Sequence, residues 1–121
     1  MEVILDTNFI ISCVLKRIDF LDELETMGFR VRIPREVLQE MKDLKRESKI
    51  GREKRIAIDL AFDMLKDVKK IRVGGRYADD GLIAKGEEGT YIATLDREIK
   101  RKVSNKIVID SARNGLRIER D

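Results

Sequence analysis

The stretch VILDTNFI, Val3 to Ile10, decides how the remaining chain is read. Val3, Ile4 and Leu5 form an unbroken aliphatic run of the kind that fills a short buried strand. Asp6 ends it. Asn8 to Leu15 then reads as a helix, with Asp6 or Thr7 available to cap its first turn. A carboxylate at the end of an apolar strand is costly unless something pairs with it. Asp6 is therefore either the cap of that helix or a member of a charged site, and the rest of the chain has to decide.

Outward from this unit the alternation repeats. Phe20–Met27 reads as a second helix, with Asp19 as cap and Gly28 as stop. Arg30–Ile33 alternates polar and apolar residues as a strand does, and Pro34 suits the first turn of a helix over Arg35–Arg46. Gly51 separates that helix from a longer one over Arg52–Lys70. There Ile56, Leu60, Met64 and Val68 recur beside Ala57, Ala61 and Leu65 as a helical stripe. Ile71–Val73, Thr90–Leu95 and Ile107–Ile109 read as strands, and Ala78–Lys85 and Arg97–Val103 as helices. Asn114-Gly115 marks a turn before an edge strand at Leu116–Ile118. Strands alternating with helices predict an α/β fold, a mainly parallel sheet covered on both faces. The length fits one domain over residues 1–121.

Composition narrows the chemistry. Of the 121 residues 42% are hydrophobic, enough to build a core without staples. No apolar run approaches membrane-spanning length, and no secretory leader is visible, because Asp6 interrupts the first apolar stretch. Cys13 is the one cysteine. It rules out an internal disulfide, fits a reducing, cytoplasmic setting, and reads as a small buried apolar residue. Histidine is absent, which removes imidazole bases, His-bearing zinc sites and Ser–His triads. Chemistry is left to carboxylates, lysines, hydroxyls or a metal held by oxygen. Charged residues make up 40% of the chain, a balance resembling that of thermophile proteins.

The carboxylates gather at particular places. In an open parallel sheet, ligands bind in the crevice beyond the carboxyl ends of the strands. Asp6 ends the first strand and Asp96 follows Leu95; if those strands are neighbours, the two acids approach one another. Asp79 and Asp80 open a helix, where the dipole favours negative charge. Glu40 borders the apolar face set by Val37, Leu38, Met41 and Leu44. Such acids packed together repel unless a cation neutralises them, and hard divalent ions such as Mg²⁺ or Mn²⁺ suit oxygen ligands. That combination cuts phosphodiester bonds without histidine. Taken singly, each acid reads more plainly as a helix cap or a solvated position than as a ligand.

The wording of the motifs adds to this. "LDTNFI", "IPREVLQEM", "YADDGLIA" and "YIATLDREIK" occur in this order and resemble the successive signatures of the PIN-domain nuclease family, over residues 3 to about 110. The resemblance implies a three-layer α/β/α sandwich and Mg²⁺- or Mn²⁺-dependent cleavage of RNA. It places the catalytic, metal-holding acids on Asp6, Glu40, Asp80 and Asp96, with Asp79 as substitute for Asp80. Glu36 sits too early in the frame to share that role. Asn8 and Thr94 fall in the outer shell, joined by Glu98. "YADDGLIA" followed by "YIATLDREIKRKV" resembles the archaeal and eukaryotic branch that processes pre-ribosomal RNA. The VapC-type toxin branch shares the same acids and would bring an antitoxin partner and a homodimer.

RNA also requires cations. Lys42 to Arg55 holds seven of them against three acids around Gly51, with Lys49 and Arg52 at the tip. Arg97, Lys100 and Arg101 follow directly after Asp96. Both clusters suit phosphate contacts, though a solvated hairpin laced with ion pairs explains the first as well. Tyr77 and Tyr91 are candidates for base stacking, with core or rim packing the plainer reading. Two rivals remain: a phospho-acceptor receiver domain, which lacks its acidic pair here, and a PIN-fold module that binds RNA or a ribosome-assembly partner without cutting.

Overall fold

The computed structural model describes residues 1–75 and 78–121; Tyr77 lies outside them. Six strands form one sheet in the order β3-β2-β1-β4-β5-β6. β1 (Glu2–Leu5) is central, pairing in parallel with β2 (Arg30–Pro34) on one side and β4 (Tyr91–Ala93) on the other. β3 (Lys69–Ile71) and β5 (Asn105–Asp110) extend the parallel set, and β6 (Gly115–Arg120) closes it antiparallel to β5. The expected mainly parallel sheet is what forms.

The two-residue period of the central strands distributes side chains to two layers. Val3 and Leu5 of β1, with Tyr91 and Ala93 of β4, enter one core. That core is covered by α1 (Thr7–Leu15), α2 (Phe20–Thr26), α3 (Arg35–Arg46) and α4 (Arg52–Leu65) through residues such as Phe9, Phe20, Met41 and Ile58. Ile4 and Ile92 point the other way, to Leu82 of α5 (Ala78–Glu87) and Ile99 of α6 (Arg97–Lys102). The result is the expected three-layer α/β/α sandwich. Each fully buried large apolar side chain is worth about 1.5–3 kcal/mol. The second core has only Ile4, Leu82, Ile92, Ile99 and Val103 among its buried members, so it is much the weaker layer.

Four local expectations are corrected. The helix expected to run to Lys70 ends at Leu65. Lys70 Nζ donates to the carbonyls of Leu65 at 2.9 Å and Lys66 at 2.6 Å, satisfying that end. The chain then pairs at once as β3, with Lys69–Ile71 opposite Arg32–Pro34, so the strand falls two residues before the Ile71–Val73 expected. Within α4 the buried face is Ala57, Ile58, Ala61 and Leu65, whereas Ile56 and Leu60 are 48% and 51% exposed. A strict four-residue repeat drifts off one face of a 3.6-residue helix, so Ile56 and Leu60 fall outside the buried face of α4. Pro34 ends β2 and precedes α3 in extended conformation rather than sitting inside its first turn. Cys13 is buried as expected, and burial above all pushes its thiol up to about 12, with Glu23 adding to the rise and Lys16 opposing it.

Glycine inside α5 lets the weak layer close. A Cβ on Gly86 would stand 2.1 Å from Val103 Cγ1 and 3.3 Å from Ile92 Cγ1, so only glycine fits there without movement. Gly86→Ala should therefore lower stability by about 1–3 kcal/mol despite alanine's better helix propensity. Adding Val103→Ala should restore part of the loss in urea denaturation; strict additivity of the two changes would refute this packing.

Candidate active site

Asp6 leaves β1 at the carboxyl edge of the sheet. The register Val3↔Tyr91, Ile4↔Ile92, Leu5↔Ala93 brings it level with Thr94, and the Asp6 amide continues the ladder to the Ala93 carbonyl at 2.9 Å. The first and fourth strands are thus neighbours. The fully buried Thr94 hydroxyl donates to Asp6 Oδ2 at 2.8 Å and accepts from the Asp96 amide at 3.1 Å. Asp6 Oδ1 accepts from the Thr7 amide at 2.8 Å and so caps α1. A carboxylate offers roughly four lone-pair sites, so each oxygen of Asp6 keeps acceptor capacity for a ligand.

The electrostatics of Asp6 are those of a crowded acid. It is 6% exposed, and its carboxyl is raised from 3.8 to about 6. Burial is the main cause, the hydrogen bonds from Thr94 and Thr7 oppose it, and the charges of Asp79 and Glu40 raise it further. Glu40 reaches this neighbourhood from α3 and Asp79 from the first turn of α5. Asp79 is itself raised, first by burial, then by Asp96 and by its neighbour Asp80. Asp79 and Asp80 are both exposed at this end of α5. Asp96 caps α6, its Oδ1 accepting from the Glu98 amide at 2.8 Å and the Ile99 amide at 3.1 Å.

Among the described residues no three acids close into a ready-made ligand cage. The acids near Asp6 nevertheless offer an all-oxygen, anionic donor set, the kind that suits a hard divalent cation. The buried Thr7 hydroxyl, beside Asp6, has no hydrogen-bond partner among the described residues, and the capping role the sequence offered to either residue is taken by Asp6.

The remaining expected residues are placed as follows. Asn8 is exposed on the first turn of α1. Glu98 forms an ion pair with Arg101 one turn on, so these two charges are engaged with each other. Arg97, Lys49 and Arg52 are exposed and Lys100 is half-buried. Lys45 of the first cationic cluster is paired with Asp59 across α3 and α4. Tyr91 is a core residue, edge-to-face on Phe29 at 4.9 Å and hydrogen-bonded by Arg120. The larger groove, 720 Å³ and lined by Lys42, Lys45, Arg46 and Phe62, contains none of the candidate acids. A smaller one of 550 Å³ is lined by Arg35, Glu36, Glu40 and Arg72, so of the candidate acids it takes in Glu40. Sequence reasoning set Glu36 aside; its carboxylate accepts from the amides of Val73 and Gly74, both at 3.3 Å.

The mainly parallel sheet covered by helices on both faces defines an α/β/α sandwich. The chain belongs to the PIN-like domain family, whose model matches residues 3–111. It is 28% identical to Ribonuclease VapC4 of Methanocaldococcus jannaschii over 84% of this chain and 82% of that protein. It is 31% identical to the rRNA-processing protein fcf1 of Schizosaccharomyces pombe over 98% of this chain but 63% of that longer protein. Among solved structures it resembles the PIN domain endonuclease Utp24, with a TM-score of 0.71, 25% identity and coverage of 99% and 92% of the two chains. It shares the fold of VapBC2 from Rickettsia felis, solved with a promoter DNA fragment, at a TM-score of 0.53, 14% identity and coverage of 85% and 96%.

An acid raised on folding binds its proton more tightly in the folded than in the unfolded state. Between about pH 4, its unfolded value, and about 6, its folded one, ionisation of Asp6 removes stability as pH rises, up to about 3 kcal/mol. Asp6→Asn should therefore raise Tm by several degrees at pH 7 in chelator and flatten the decline between pH 4 and 6. Thermal melts across that range test it, and a lower Tm at pH 7 would contradict the crowding described.

Proposed function

We propose that the chain is a Mg²⁺- or Mn²⁺-dependent endoribonuclease, with Asp6, Glu40, Asp96 and the Asp79–Asp80 pair holding the metal. The observation that carries this is the buried Asp6 carboxylate, steadied by Thr94 and facing acids from α3 and α5. Proteins do not bury an acid against other acids for stability alone, and a cation is the partner that offsets the cost. When bound, the metal supplies Lewis-acid stabilisation of phosphate oxygens and lowers the pKa of water.

The chain's own side chains do the rest. Asp6 is held in one orientation by the Thr94 hydroxyl and the Thr7 amide, so it presents its remaining lone pairs outward without reorganising. Thr94 also ties Asp6 to the Asp96 backbone, fixing the distance between the two strand-end acids. Arg97 and Lys100 on α6 stand directly behind Asp96, suited to contact RNA phosphates on either side of the scissile bond. Precursor ribosomal RNA is the substrate class we favour. The support is the match to an rRNA-processing relative along nearly the whole chain and the likeness to the Utp24 endonuclease. The VapC4 likeness keeps a toxin-type ribonuclease as a second reading, with an antitoxin and a homodimer as its partners.

With Mn²⁺ and a precursor-rRNA fragment, the wild-type chain should cut endonucleolytically and stop on addition of chelator. Asp6→Asn and Asp96→Asn should each reduce cleavage by more than about a hundredfold while remaining folded, since even outer-shell partners of a metal are worth about 10–100-fold. Cleavage at the wild-type rate in both variants would sink this reading.

A further inference from the structure

Asp79 and Asp80 ride on the weaker of the two layers, and the sheet reaches them through a short edge strand. Something has to hold α5 in place. Glu36, in the first turn of α3, places one carboxylate oxygen on each of two consecutive amides, Val73 and Gly74, at 3.3 Å. Those residues lie just beyond β3. Immediately above them sits Gly81, where a Cβ would come 2.5 Å from the Gly74 carbonyl oxygen and 2.5 Å from Val73 Cγ2. α5 therefore rests its backbone directly on Val73–Gly74, at a residue next in sequence to Asp80. The order of contact is Glu36, then the Val73–Gly74 shelf, then Gly81, then the two acids.

The charge state of Glu36 agrees with this. Its burial would raise the carboxyl, but amide hydrogen bonds from its own residue, Val73 and Gly74, together with the Arg72 guanidinium, bring it below its ordinary value. It is absent from the charges that perturb Asp6, whereas Glu40, one turn along the same flank of α3, is among them. One helix thus serves the site twice: Glu40 by facing the acids and Glu36 by holding the segment on which α5 stands.

We propose that Glu36 is a positioning residue that sets where Asp79 and Asp80 stand relative to Asp6 and Asp96. It does so by clamping the Val73–Gly74 backbone under α5, and its effect on metal binding rests on the metal-site reading above. Replacing it by glutamine leaves an acceptor for one amide and turns an N–H donor toward the other, so the clamp opens on one side.

The test uses the full chain without RNA. In Glu36→Gln, hydrogen exchange should quicken in the amides of α5 while those of α1 and α4 keep wild-type protection. Calorimetric titration with Mn²⁺ should show affinity weakened about tenfold, the scale on which outer partners of a metal act. RNA cleavage should recover at saturating Mn²⁺, since the acids themselves are intact. Gly81→Ala, which disturbs the same contact from the side of α5, should reproduce both effects and serves if the first variant does not fold. Unchanged α5 exchange in both variants overturns the proposal, as does a loss of protection spread evenly over all helices. If wild-type protein binds no Mn²⁺ yet α5 still loosens in Glu36→Gln, the clamp stands and the metal reading of the acids falls.

Discussion

The hydrogen bond from Thr94 to Asp6 across the ends of β1 and β4 is the contact on which the rest of the site depends. Parallel pairing of these two strands puts an acid beside a hydroxyl, and the hydroxyl in turn orders the Asp96 backbone. Burial drives the Asp6 carboxyl toward neutrality, and two hydrogen bonds only partly reverse that. The cost is borne by the larger core, where α1 through α4 bury most of the chain's large apolar side chains. A stable layer on one face of the sheet allows an unfavourable charge arrangement at its edge.

The two faces of the sheet are unequal, and the inequality shapes the site. Asp6 and Glu40 belong to elements anchored in the large core, whereas Asp79, Asp80 and Asp96 begin helices that cover the small one. α5 compensates with close backbone approach at Gly81 and Gly86, where side chains of Val73 and Val103 fill the space a Cβ would take. Such contacts substitute precision of fit for apolar area.

The two readings of Asp6 turn out not to compete. Its Oδ1 caps α1 while Oδ2 meets Thr94 and the carboxyl feels Asp79 and Glu40. Asp96 also caps its helix, α6. α3 shows a similar division along its length: Glu36 and Glu40 lie on the flank that borders the acids, and Lys42 and Lys45 on the flank toward α4. Of the seven cations between Lys42 and Arg55, Lys45 is paired with Asp59 and Arg55 donates to the Glu47 carbonyl. Surface pairs of this kind contribute little stability.

What the sequence by itself determined is whatever depends on neighbours in the chain. The apolar run before Asp6, the caps at Asp6, Asp19 and Asp96, and the alternation of strand and helix follow from local periodicity and backbone hydrogen bonding. They were enough to read the parallel α/β sandwich and the order of the acidic motifs. Only the tertiary structure decided where α4 stops, because the β2–β3 register claims Lys69–Ile71 for the sheet. It alone left Ile56 and Leu60 exposed, since the face of α4 that the core takes is Ala57, Ile58, Ala61 and Leu65. It alone brought the charges of Asp79 and Glu40 to bear on Asp6 and joined Glu36 to amides 37 and 38 residues away. These are long-range distances, set by how layers pack, and no local pattern encodes them.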